Sequence, residues 1–160
     1  MPMTPVQLDA VRHLLTGSRV LSLALIVEDA PVIGLLPFVV TPDYRALVVH
    51  ASSLARHTKG LHDGAQFDAL LHEPVVGDVD PLRVRRLTLR GPVHVPEPGT
   101  PAHDALRRLY LQKYPEAELM TTLGDFAFYV LPIAGGRLVT DFGAAANVTQ
   151  DTLAALRGED

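Results

Sequence analysis

Ser52-Ser53-Leu54-Ala55-Arg56-His57-Thr58-Lys59-Gly60-Leu61 gathers hydroxyls, a guanidinium, an imidazole and an ammonium within a few residues. Clustered donors with positive charge are what phosphate recognition requires. The segment follows an apolar run, Ala46–Ala51, and so begins where a strand gives way to a loop. A helix beginning near Thr58 would add free backbone N–H groups to an anion site at this point. The residue types alone favour a plainer account, a solvated loop leading into a helix that ends near Gly64, because short motifs often arise by chance.

The remaining polar groups point to no catalytic set. There are seven histidines, but His50, His57 and His62 have no spacing typical of a metal site and no acidic partner at a diagnostic offset. His13 and His103 are expected on the exposed faces of helices. Arg83, Arg85, Arg86 and Arg90 make a basic stripe without interleaved aromatics, and the formal charge of the chain is −4. Both features argue against nucleic acid, and the charge also disfavours an anionic membrane surface. These arginines are expected on a solvent face of a strand; the alternative is that they meet an anionic ligand or partner across a subunit boundary. No Gly-x-Ser-x-Gly elbow, Walker loop or Gly-x-Gly-x-x-Gly turn is present. The carboxylates of Glu28-Asp29 and Asp78/Asp80 fall in turns, where such groups are solvated.

The elements that must position the polar segment follow from hydrophobic periodicity. The length of 160 residues, 48% hydrophobic and 20% charged, predicts one domain over residues 1–160 with its own core. The absence of cysteine excludes a disulfide framework and fits a reducing compartment. The N-terminus lacks the pattern of a signal peptide, and no apolar run is long enough to span a bilayer, so a cytoplasmic protein is expected. Thr4-Pro5-Val6-Gln7 predicts a capped helix start, with Val6, Ala10, Val11, Leu14 and Leu15 at helical spacing and Gly17 as its stop. Val20–Val27 and Val32–Val40 predict strands joined by a turn at 28–31, with Pro37 at an edge or bulge. Ala46–Ala51 and Gln66–His72 predict further strands, and 73–81 a loop. Arg86–Pro96 alternates cleanly, so a long half-buried strand with a bend at Gly91-Pro92 is expected. A helix from Thr100-Pro101 to Tyr114-Pro115, a short turn at 116–120, strands Phe126–Ile133 and Arg137–Phe142, and a helix capped by Thr149 complete the chain. About seven strands at hairpin spacing, with peripheral helices, favour an antiparallel barrel.

The order of the motifs carries a family resemblance. Ser52–Leu61 resembles the Ser-x-Leu-Ala-x-His-Thr-x-Asn-Leu segment of the pyridoxamine 5′-phosphate oxidase-like split-barrel proteins, in their haem-iron-utilisation branch. Pro31–Phe38, Asp80-Pro81, Arg86-Leu87-Thr88-Leu89 with Gly91, and Tyr114-Pro115-Glu116-Ala117 are similar to further family strings in the same order. Gly124-Asp125-Phe126-Ala127-x-Tyr129 and Arg137-Leu138-Val139-x-x-Phe142-Gly143 resemble its closing hairpin.

The resemblance implies a mainly β, Greek-key FMN-binding split barrel, paired as a homodimer with a small-molecule ligand at the dimer interface. It implies that the FMN phosphate lies near Ser52–Lys59. Ser52, His57 and Thr58 are then the matched polar positions, Ser53 lies in the same segment, and Arg56 and Lys59 are extra phosphate contacts. Several family groups are replaced here. The second-strand arginine and lysine fall at Leu35 and Val40, a serine at Gly34 and an asparagine at Gly60. A closing arginine and tryptophan give way to the run Ala144-Ala145-Ala146-Asn147. Each charge-assisted bond is worth about 1.5–3 kcal/mol, so a weaker phosphate hold is expected. A separate C-terminal haem-binding domain found in some relatives is not part of this sequence. The implied function is a flavin-dependent, oxidoreductase-like protein of open substrate. The alternatives are a non-catalytic dimeric module that has lost the cofactor and, ranking last, a haem-binding protein using His57 or another histidine.

Overall fold

The computed structural model describes residues 1–158 of the chain. Helix α1 (Pro5–Gly17) starts with the expected capping box: Gln7 N–H donates to Thr4 Oγ1 at 3.3 Å, and Thr4 N–H to Gln7 Oε1 at 2.9 Å. Its apolar face, Ala10, Val11, Leu14 and Leu15, is buried. Strands β1 (Val20–Val27) and β2 (Ala30–Val40) form a hairpin with Val27 opposite Ala30. The two turn residues, Glu28 and Asp29, have φ of 52° and 62°. That is the mirror-image turn whose twist matches the flanking strands.

Six more strands follow: β3 (Ala46–Ser52), β4 (Gln66–His72), β5 (Arg86–Pro92), β6 (Phe126–Pro132), β7 (Gly135–Asp141) and β8 (Ala144–Val148). Helix α2 (Pro101–Lys113) separates β5 from β6, and α3 (Gln150–Leu156) follows β8. All ladders are antiparallel, in the order β6-β3-β2-β1-β4-β5-β7-β8. The run β4-β1-β2-β3 is a Greek key, since three hairpin-linked strands are flanked by a fourth that returns beside the first. The sheet curls until its β6 edge meets the chain beyond β5. There His94 bridges Val130, and Ala134 N–H donates to Arg90 O at 2.9 Å. The result is the expected mainly β split barrel with peripheral helices.

Three expectations are corrected. The strands number eight among the described residues, because the alanine-rich β8 adds to the free side of β7 across Phe142-Gly143. β5 stops at Pro92 instead of Pro96: Pro92 offers no N–H, and the chain switches partner, with Val93 N–H donating to Ala65 O at 2.7 Å. β7 begins at Gly135, so the preceding turn is Ile133-Ala134 and the two glycines lie within the strand. Pro37 fits its expected position. It is the last β2 residue opposite β1, and pairing with β3 starts at Phe38.

The main core fills the concave side of the sheet, where α1 and α3 close it. Alternate residues of β1, Leu21, Leu23 and Leu25, point into it. A second, smaller core joins Val39, Val48 and Phe128 on the opposite side to Tyr110 and Tyr114 of α2 and its C-terminal end. Tyr114 fastens this layer: its hydroxyl lies 2.6 Å from Arg19 O and 2.7 Å from Phe38 O, and accepts from Phe38 N–H at 3.2 Å. Thr149 and Thr152 cap α3 reciprocally, with Val148 and Leu153 both buried beside the cap. Among the described residues no helix is long and apolar enough to cross a membrane.

Candidate functional site

The polar segment folds as the end of β3 and one 3-10 turn, Arg56–Gly60. The turn therefore begins two residues before Thr58 and ends at Gly60, well short of Gly64. Five residues of 3-10 helix leave no macrodipole to strengthen an anion site, so any anion must be held by side chains. The three-residue period sorts those side chains. Arg56 and Lys59 share one side and are exposed; His57 and Gly60 share a second, and Thr58 and Leu61 a third, both turned inward.

Two of the inward contacts fall at positions that depart from the family pattern. The ring of His57 lies on Gly34 of β2, where a Cβ would come within 2.5 Å of Nδ1. Gly60 sits on β1, where a Cβ would be 2.8 Å from Leu25 Cβ. Serine and asparagine at these positions would collide with this packing. Burial holds the His57 imidazole below its ordinary pKa, which favours a neutral ring. Thr58 is buried, and its Oγ1 has no hydrogen-bond partner among the described residues.

A residue not singled out for this site in the sequence anchors the start of the loop. Ser53 N–H donates to Asp125 O at 2.6 Å, and Ser52 Oγ donates to Asp125 Oδ2 at 3.4 Å. Leu54 N–H in turn donates to Ser52 Oγ at 3.2 Å. Asp125 belongs to the Gly124-Asp125-Phe126 string, but only the β3–β6 pairing shows that it reaches the loop. Ser52 is thus engaged in structure, while Ser53, Arg56 and Lys59 stand at the surface. No ion pair or hydrogen bond occupies the Arg56 guanidinium or the Lys59 ammonium among the described residues.

The second basic cluster is used differently. Arg83 pairs with Asp80 and Asp141, Arg85 with Glu73, and Arg90 with Asp68, while Arg86 donates to Leu82 O and Val84 O. These arginines serve the β4–β5–β7 surface. Leu35 and Val40 lie five residues apart on β2, so they face opposite sides of the sheet: Leu35 is exposed, and Val40 belongs to the main core. A cation at Val40 has no place in this interior.

The histidines divide by environment. His103, expected at the surface, is half-buried with its ring edge-on to Phe128, at 5.5 Å between centroids. His50 is buried against Phe126, Phe128 and Tyr110. Burial, aided by the nearby His103, pushes its pKa down to about 4. No cluster of three or more potential metal ligands forms among the described residues.

A cleft of about 460 Å³ lies outside the polar segment, between the C-terminal end of α1 and the exposed face of β1, β2 and β4. Val20, Leu35 and Leu70 form its apolar wall, with His13, Arg19 and His72 among its polar groups. No motif along the chain marks it, because its lining is drawn from the end of α1 and from alternate positions on separate strands.

Neither a protein-family model nor a curated protein sequence matches the chain. Its structure, however, superimposes on many solved ones. A haem binding protein from Mycobacterium smegmatis matches with a TM-score of 0.80 at 25% identity, over 96% of this chain and 62% of that one. This chain therefore spans less than two thirds of that protein's length. A protein of the pyridoxinephosphate oxidase family from Clostridium acetobutylicum, related to general stress protein 26, matches with a TM-score of 0.68 at 12% identity, over 94% of this chain and 99% of that one. An FAD and haem binding protein from Mycobacterium smegmatis matches with a TM-score of 0.62 at 19% identity, over 95% and 78%. The fold is that of the pyridoxine phosphate oxidase-like split barrel, with haem-binding proteins among its structural neighbours, in keeping with the resemblance to the haem-utilisation branch.

Proposed function

We propose that this split barrel binds FMN, with the phosphate held by Arg56 and Lys59 and assisted by the Ser53 hydroxyl. The observation that carries this reading is the pair of unpartnered cations eclipsed on one side of the Arg56–Gly60 turn. Most other cations of the chain already have partners, so two free ones a single 3-10 step apart suit a dianionic phosphate. Asp125 fixes the start of the loop, and His57 on Gly34 fixes its middle, so the cations project from a rigid base. When bound, the flavin would supply the redox chemistry, while these residues bind and orient it. A second copy of the chain completes the pocket in this reading, because the turn is open to solvent on its cationic side.

Fluorescence titration with FMN and with riboflavin, which lacks the phosphate, tests the assignment. The Arg56→Ala/Lys59→Ala variant should weaken FMN binding by roughly 10- to 100-fold, as expected for lost charge-assisted bonds, and leave riboflavin binding unchanged. Equal FMN affinity in variant and parent would overturn it. No saturable FMN binding by the parent protein would favour the alternative, a non-catalytic dimeric module that has lost the cofactor.

A second reading, haem as ligand, is supported by the cleft beside α1, whose apolar wall and imidazoles suit a flat, partly apolar ring. Titration with hemin tests it: a shifted, saturable Soret band is expected, and an unshifted one overturns it.

A further inference from the structure

We infer that His72 Nε2 is the iron ligand of a haem held in the cleft between α1 and the exposed face of β2-β1-β4. The inference rests on the haem reading and names the residue and the site. His72 Nδ1 lies 2.7 Å from Glu73 O. A carbonyl oxygen only accepts, so in the neutral ring the proton sits on Nδ1 and the lone pair on Nε2. A backbone carbonyl that fixes the tautomer in this way is the usual support of a metal-ligating histidine. Glu73 does not compete for the imidazole through its carboxylate, which pairs with Arg85 at 3.4 Å.

The surroundings suit the rest of such a ligand. Ser22 lies opposite Leu35 on one side and Leu70 on the other, which sets these three residues in a row across three strands. Two strand spacings make that row roughly 10 Å wide. Val20, one pleat away, extends it and stands opposite Pro37. Leu35 is 68% exposed, Val20 44% and Leu70 36%, and large apolar side chains left in water on one flat face mark a binding surface. Arg19 lines the same cleft and offers a cationic donor to acidic substituents of a ring. Arg19 reaches Glu116 at 2.7 Å through a solvent-exposed pair, which costs little to exchange for another carboxylate.

The test uses the full chain titrated with hemin and, separately, with metal-free protoporphyrin IX. The parent protein should give a histidine-ligated Soret and electron-spin-resonance signature. His72→Ala should lose that signature, regain it on addition of imidazole, and bind metal-free protoporphyrin as the parent does. His13→Ala and His57→Ala should keep the parent spectrum. A His72→Ala spectrum identical to the parent's, or loss of ligation in either control instead, would overturn the assignment while leaving haem binding intact. No Soret shift in the parent would overturn the haem reading and the ligand assignment together.

Discussion

Gly34 carries no side chain, and the ring of His57 takes the space where one would lie. Each residue accounts for the other: glycine permits the close approach, and the imidazole fills the gap that glycine leaves. Gly34→Ala should therefore destabilise the fold by about 1–3 kcal/mol through overpacking. Adding His57→Ala should remove most of that cost, since residues in contact couple non-additively. Urea denaturation of the two single variants and the double variant checks this, and simple additivity would separate the pair. The same interlock explains why the Arg56 and Lys59 side chains are turned to solvent. With His57, Thr58, Gly60 and Leu61 committed to the interior, the 3-10 period leaves them only the outer side.

At the scale of elements, α2 is joined to the barrel by a few concentrated contacts. The Tyr114 hydroxyl serves Arg19 O, Phe38 O and Phe38 N–H, tying the α2 end to the start of β1 and to β2. Tyr114→Phe should cost about 1–3 kcal/mol, because buried backbone groups lose their partner, and should appear as a lower urea midpoint at unchanged slope. The same layer holds His50, neutral in the fold with a pKa of about 4 against 6.5 when free. The unfolded chain binds the extra proton between these values, so the contribution of His50 is complete above pH 6.5 and is lost as pH falls towards 4. The loss is on the order of 2–3 kcal/mol. Stability measured from pH 7 to pH 4 should fall more steeply for the parent than for His50→Phe; parallel curves would exclude His50 as the source. The nearby His103 of α2 adds to the effect by disfavouring a charged His50.

For the whole molecule, the outer half of the β1–β2 hairpin presents exposed Ile26 and Ile33 beside the turn that carries Arg56 and Lys59. If a second copy completes the flavin pocket, this surface is where it docks. Ile33→Glu should then convert a dimer to a monomer in sedimentation experiments and weaken FMN binding in parallel. A parent protein that is monomeric at all concentrations would remove the shared pocket. The row formed by Leu35, Ser22 and Leu70 lies further along the same strands, so the two surfaces can be tested separately.

Much of this was determined by local sequence. Capping residues, β-branched runs and the alternation through Leu87, Leu89 and Gly91 specify α1, α3 and the β-rich pattern, because they act over a few neighbouring residues. The expectation for β5 overran because Val93 and Val95 keep the period after Pro92, although pairing depends on a partner that the period does not reveal. β8 was not legible, since its alanines have little strand preference and it forms only because the β7 edge is available. The polar segment was visible from its residue types. Only the tertiary structure decided which members face outward, that Asp125 anchors them, and that His72 has its tautomer set in a cleft. Those properties depend on strand register, on which strands lie side by side and on the side-chain conformations that packing selects, and none of these is written in residue spacing along the chain.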